Sequence, residues 1–157
     1  MVYRYIQPSP HLRNYIRDYV LAHLVIDSNK TVPLKPFPAK PEEGFTFYIK
    51  SFLIARNEQL GTIEKRAKTY IVGQQVYRQN FEFSHKFLMF NVQFQPGALF
   101  KLLKIPMTEF LNRNVDGELL FGQDIRDVND QLANTFCYES IFRIIEAFLW
   151  KKIQKIK

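Results

Sequence analysis

The run from Phe87 to Phe94 constrains this chain more than any other. Leu88, Phe90, Val92 and Phe94 fall on one face, while Asn91, Gln93 and Gln95 fall on the other, the period-two pattern of a half-buried strand. Pro96-Gly97 then breaks the strand, and the period changes to that of a helix. Ile141, Ile144, Ile145, Phe148, Leu149 and Ile153 form a broad apolar stripe at helical spacing, which needs a surface to cover it. A chain that passes from strands to helices is α+β, with a β-part and a helical layer packed on it.

The rest of the chain fits that division. Phe45, Phe47 and Ile49 alternate with Thr46, Tyr48 and Lys50, and Phe52 to Arg56 reads as another short strand. Asn57 to Gly61 is turn chemistry, and Lys65 to Lys68 is a basic patch. Tyr70 to Gly73 and Asn80 to Phe83 complete a close series of strands, the mark of an antiparallel sandwich or small barrel. Upstream, Ser9 as N-cap, Pro10 at the first helical position and Leu12, Tyr15, Ile16 and Tyr19 at helical spacing predict a short N-terminal helix. A β-like run then leads to Ile26, and the proline-rich stretch from Asp27 to Glu43 reads as loop or edge chain. Downstream, Ala98 to Leu103 and the segment opened by Pro106 and Thr108 read as short helical turns. A third helix runs from about Gln123 to Ala133, and the last begins near Thr135. The expectation is one domain over residues 1–157, β-rich over 19–95 and helical over 97–153.

The 157 residues, 46% hydrophobic and 24% charged, suffice for a core without staples and exclude a disordered chain. The net charge of +7 divides unevenly. Residues 1–104 hold 15 Lys/Arg against 7 Asp/Glu, residues 105–150 hold 3 against 8, and the last seven residues add four lysines. That is a basic first part, an acidic second part and a basic tail, not one uniformly basic surface. No stretch has the length of a membrane span or the layout of an export signal, so the default is a cytoplasmic protein. Cys137 is the single cysteine; a disulfide framework is excluded, and the residue reads as a buried structural thiol.

Chemistry has little to stand on. His11, His23 and His85 are not spaced as metal ligands, and no phosphate loop or nucleophile motif is present. The expectation is therefore no catalytic residues, no metal and no cofactor. The 15% aromatic content has two readings: rings filling a sandwich core, or rings such as Tyr77, Phe81 and Phe83 beside Arg78, arranged to stack nucleic-acid bases. Asn91, Gln93 and Gln95 either line an effector cavity or face water. Ile145, Phe148, Leu149 and Ile153 either complete the core or form the helix contact of a homodimer.

The run Phe94-Gln95-Pro96-Gly97-Ala98-Leu99, continued by Leu102-Leu103-Lys104-Ile105-Pro106, resembles the N-terminal regulatory domain of a subgroup of AraC-type transcriptional regulators, mostly bacterial. Val72-Gly73, Gly122 before Asp124-Ile125, and the opening Tyr5-Ile6-Gln7-Pro8-Ser9-Pro10 extend the resemblance over nearly the whole chain, whereas Pro33 to Gly44 matches poorly. The resemblance implies a cupin-like β-domain with helices packed behind it. It implies an unknown small-molecule effector, a homodimer, and DNA binding by a C-terminal helix-turn-helix domain. The lysine-rich end then reads as an interdomain linker. The alternative is a stand-alone basic and aromatic module for nucleic acid or an anionic surface.

Overall fold

The computed structural model describes residues 2–31, 35–37, 44–72, 79–110 and 114–156. Among these, ten strands form two antiparallel sheets: β1 (Val2–Ile6), β2 (Ile16–Val25), β3 (Lys35–Phe37), β4 (Gly44–Tyr48), β5 (Leu53–Asn57), β6 (Thr62–Lys65), β7 (Thr69–Val72), β8 (Gln79–Phe83), β9 (Lys86–Phe94) and β10 (Asn114–Asp116). The larger sheet has the order β1-β2-β9-β4-β7-β10, and the smaller has the order β3-β8-β5-β6. Four α-helices join them among the described residues: α1 (Ala98–Leu103) between β9 and β10, and after β10 α2 (Gly117–Phe121), α3 (Gln123–Ala133) and α4 (Tyr138–Gln154). The molecule is α+β, as the switch of period requires, and both sheets are open.

The larger sheet is buried on two faces, and the pleat assigns each residue to one of them. Tyr19, Leu21, Phe45, Phe47, Phe90, Val92 and Phe94 share one core with Ile125, Leu132, Ile145 and Leu149 of the helices. On the opposite face Tyr48, Tyr70 and Phe87 pack with Leu53, Phe81 and Phe83 of the smaller sheet. The order of layers is thus helices, large sheet, small sheet. Gly44 permits close pairing inside the large sheet, since a Cβ there would stand 2.3 Å from the Val92 carbonyl oxygen. Gly97, with φ +78°, turns the chain out of β9 into α1.

The N-terminal helix is not formed. Only a 3-10 turn at Pro10–Leu12 is helical, and Ile16 already begins β2. Strand β2 pairs with β1 on one side and β9 on the other, which buries Tyr19 and Leu21. Two ladders and that burial outweigh a local helical spacing. Ser9 likewise caps nothing. Its backbone N–H and hydroxyl donate to the buried Glu146 carboxylate at 3.0 and 2.5 Å, and the Tyr19 hydroxyl donates to the same group at 2.8 Å. Glu146 thereby ties the N-terminal turn and β2 to α4.

The third helix runs over Gln123–Ala133, as its pattern predicts, whereas the last starts at Tyr138 rather than near Thr135. Ile145, Phe148, Leu149 and Ile153 require a correction to their role as dimer contacts. All four are buried within the chain, so they hold α4 against the large sheet and present nothing to a second copy. Lys152 adds to that packing by pairing with Asp124 of α3 while lying over the rings of Phe121 and Phe148.

Candidate functional site

Paired residues in a sheet point to the same side, so register defines a polar row on the face that meets the smaller sheet. Val20 of β2 stands opposite Asn91 of β9, Asn91 opposite Thr46 of β4, and Thr46 opposite Tyr70 of β7. A second row places Asp18 beside Gln93 and Gln93 beside Gly44. The half-buried Asn91 amide donates to the Thr46 hydroxyl at 2.8 Å and to the Phe45 carbonyl at 3.3 Å. The Gln93 amide oxygen accepts from the Arg17 guanidinium at 2.5 Å. Asp18 presents a carboxylate whose Oδ2 is 3.6 Å from Arg17 Nε, while its buried Oδ1 has no hydrogen-bond partner among the described residues.

Sequence reasoning placed Asn91, Gln93 and Gln95 together; the structure joins only the first two. Gln95 lies past the end of β9, and its side-chain amide donates to the Arg13 carbonyl at 3.2 Å, which fixes the chain before β2. Asp18 was missed because the segment read as helix, where its neighbours differ. The signal that could have found it is the alternation Asp18, Val20, Ala22 opposite Tyr19, Leu21, His23.

Deeper between the sheets lies a cation. Arg66 is only 8% exposed; its guanidinium sits 4.5 Å from the Tyr70 ring centre and 4.7 Å from that of Phe81, and it donates to the Tyr48 hydroxyl at 3.0 Å. Burial alone lowers its affinity for the proton, but Tyr48, Tyr70 and Glu64 together raise it above the ordinary arginine value, so the group stays charged. The Tyr70 hydroxyl in turn donates to Glu64 at 3.1 Å. The face of the large sheet that meets the smaller one thus grades from an aromatic part with a buried cation to an amide and carboxylate part at Asp18, Asn91 and Gln93.

Burial pushes the phenols of Tyr19 and Tyr70 far above their usual value of 10.0, reinforced by Glu146 for Tyr19 and, for Tyr70, opposed by the Arg66 cation and supported by Glu64. A raised phenol pKa means that the folded state keeps protons which the unfolded chain releases above pH 10. Stability is therefore full below that pH and falls as pH rises beyond it, with a slope approaching about 1.4 kcal/mol per pH unit for each tyrosine. Urea midpoints measured on either side of that pH, compared between parent and Tyr70→Phe, should show a shallower alkaline loss in the variant. An identical loss would show that the Tyr70 phenol ionises freely in the fold.

The remaining candidates are dispersed. The His11 ring packs edge-on against Trp150, His23 shares a 2.5 Å hydrogen bond with the Tyr138 hydroxyl, and His85 contacts the Lys30 carbonyl. Among the described residues no group of His, Cys, Asp and Glu is arranged to hold a metal ion. Cys137 is exposed, not buried, because α4 begins one residue after it and turns its apolar stripe away. Hydrogen bonding to Ser140, whose Oγ is 3.0 Å from the sulfur, holds the thiol below its ordinary pKa. Phe81 and Phe83 pack between the sheets, which is the core reading of the aromatics; Tyr77 and Arg78 lie outside the described residues, as do Gly73 and residues 38–43. No helix among the described residues is long and apolar enough to cross a membrane.

Residues 4–116 match the pattern of a family described as a domain of unknown function, DUF6597, and the chain belongs to that family. The match opens inside β1 and closes at the end of β10, so it spans both sheets and stops before α2. No curated protein matches the chain.

Proposed function

We propose that this chain is an effector-sensing domain in which a small molecule binds between the two sheets, against Asp18, Asn91 and Gln93. The observation that carries the reading is the buried Asp18 Oδ1, which has no hydrogen-bond partner among the described residues and lies on the same face as two amide side chains. A buried acceptor of this kind costs about 1–3 kcal/mol unless something donates to it. A ligand bearing hydroxyl or amine donors supplies that hydrogen bond, and the amides of Asn91 and Gln93 orient it. The site uses binding groups only, and the proposal is for a non-enzymatic domain that needs no metal or cofactor.

The run around Pro96-Gly97 supports placing this domain with the regulatory domains of AraC-type transcriptional regulators, with a cupin-like arrangement of its sheets. In that reading the protein acts in the bacterial cytoplasm as a homodimer, and DNA is bound by a helix-turn-helix domain outside these 157 residues. The effector then works by binding two arrangements of the dimer with unequal affinity. A thermal-shift screen with polyols, amino acids and amines tests the site. At saturation well above Kd, a true ligand stabilises the fold by about 2–3 kcal/mol, and Asp18→Asn and Asn91→Leu should each abolish the response. Stabilisation that survives both substitutions would move the ligand elsewhere and overturn the assignment.

A further inference from the structure

Away from the polar rows, the end of the molecule formed by the β4–β5 turn and the start of α4 is basic and aromatic. Lys50 lies in the turn with φ +52° and extends its Nζ over the ring of Phe136, 4.8 Å from the centre, while reaching the Thr135 carbonyl at 3.4 Å. Two residues on, the Phe52 ring carries the Lys65 ammonium at 5.3 Å. The Phe52 backbone N–H donates to Ser84, whose hydroxyl donates to the Lys86 carbonyl, which brings a third lysine to the same end. Lys50, Lys65, Lys68 and Lys86 are all exposed, and none forms an ion pair among the described residues. Phe136 is 94% exposed, the largest exposure of any apolar side chain described.

Thr135 also lines a cleft of about 580 Å³ between α3 and α4, whose polar groups are Asp130, Gln131, Asn134, Ser140 and Arg143. The cleft therefore opens beside Phe136 and Lys50. Its amides, hydroxyls, carboxylate and guanidinium offer both donors and acceptors, the complement of an unpaired base edge.

We propose that this end binds single-stranded nucleic acid, with phosphates on Lys50, Lys65 and Lys86, a base stacked on Phe136, and a neighbouring base in the α3–α4 cleft. Ammonium groups that form no ion pair among the described residues answer a chain of phosphates, and Lys50, lying over Phe136, leaves most of that ring exposed to stack. An anionic bilayer is the weaker match. Phe52 is only 37% exposed, so among the described residues at this end Phe136 alone stands almost fully clear, and a polar cleft beside it gains nothing from lipid. The inference is independent of the effector site, which lies between the sheets and shares none of these residues.

Fluorescence anisotropy with a labelled single strand of about fifteen nucleotides, against the duplex of the same sequence and against phosphatidylserine vesicles, is the test. The single strand is expected to bind at about 50 mM salt, with log K falling against log salt at a slope near −2, as about three neutralised phosphates require. Lys50→Glu and Lys65→Glu should each weaken binding by about fivefold or more, and Phe136→Ala by about tenfold, its stacking being worth about 1–3 kcal/mol. Phe136→Ala cannot act by unfolding a residue so exposed, which keeps the outcome readable if a charge reversal disturbs the turn. No binding at low salt, equal affinity for the duplex, preference for vesicles, or indifference to all three substitutions would each overturn the proposal.

Discussion

Glu146→Ala is expected to lower stability by about 3 kcal/mol, because it strands three donors at once. The carboxylate is the common acceptor for the Ser9 N–H, the Ser9 hydroxyl and the Tyr19 hydroxyl, and it lies in the closed space between the N-terminal turn, β2 and α4. Tyr19 has no access to water, so its hydroxyl cannot find a substitute partner without reorganising the core. Glu146→Gln should lose less, since its amide oxygen still accepts from the Ser9 N–H and the Tyr19 hydroxyl while its NH2 donates to the Ser9 hydroxyl, which turns from donor to acceptor. Urea denaturation of the three proteins, read at constant m, gives the order parent, Gln, Ala. If Ala stays within about 0.5 kcal/mol of the parent, the network does not link the N-terminus to α4.

Leu149→Ala is the second large effect. Leu149 is fully buried among Tyr19, Phe47, Phe90 and Ile145 in the core between helices and sheet, so truncation leaves a cavity and removes its apolar contacts. The expected loss is about 3 kcal/mol, with a change in the urea midpoint that does not depend on protein concentration. The proposed homodimer, where it forms, keeps its dissociation constant in this variant, because α4 turns this side chain inward. Sedimentation at several concentrations separates the two effects. A variant that falls apart into stable monomers would instead show that α4 swings out to meet its partner.

Both effects reflect how much of the molecule was legible in the sequence. Alternation in Phe87 to Phe94 and the stripe from Ile141 to Ile153 are local patterns, and both elements stand where those patterns put them. The N-terminal segment was not legible, because Leu12, Ile16 and Tyr19 satisfy a helical period and a strand with bulges equally well. Only pairing with β9, some seventy residues away in sequence, decides between them, and that is a tertiary fact. Strand β6 escaped because it is an edge strand whose four residues are all exposed, so it shows no alternation. For the same reason the stripe could not reveal which surface covers it, and the dimer contact was placed on side chains that the large sheet already occupies.

The candidate site shows the same division. Asn91 and Gln93 were visible as the polar side of a strand, but Asp18 becomes their neighbour only through the β2–β9 register. Arg66 read as one member of a surface patch from Lys65 to Lys68, whereas the turn into β7 carries its side chain inward to Tyr48, Tyr70 and Phe81 while the lysines stay outside.

The most direct measurement of the central claim is a 1H–15N NMR titration with whichever compound stabilises the protein. Binding between the sheets predicts that the largest shifts fall on the backbone amides of Asp18, Thr46, Asn91 and Gln93, with the helix α3 amides of Asp127 to Ala133 unmoved. Shifts confined to that helix and the start of α4, with Asn91 and Gln93 silent, would contradict it.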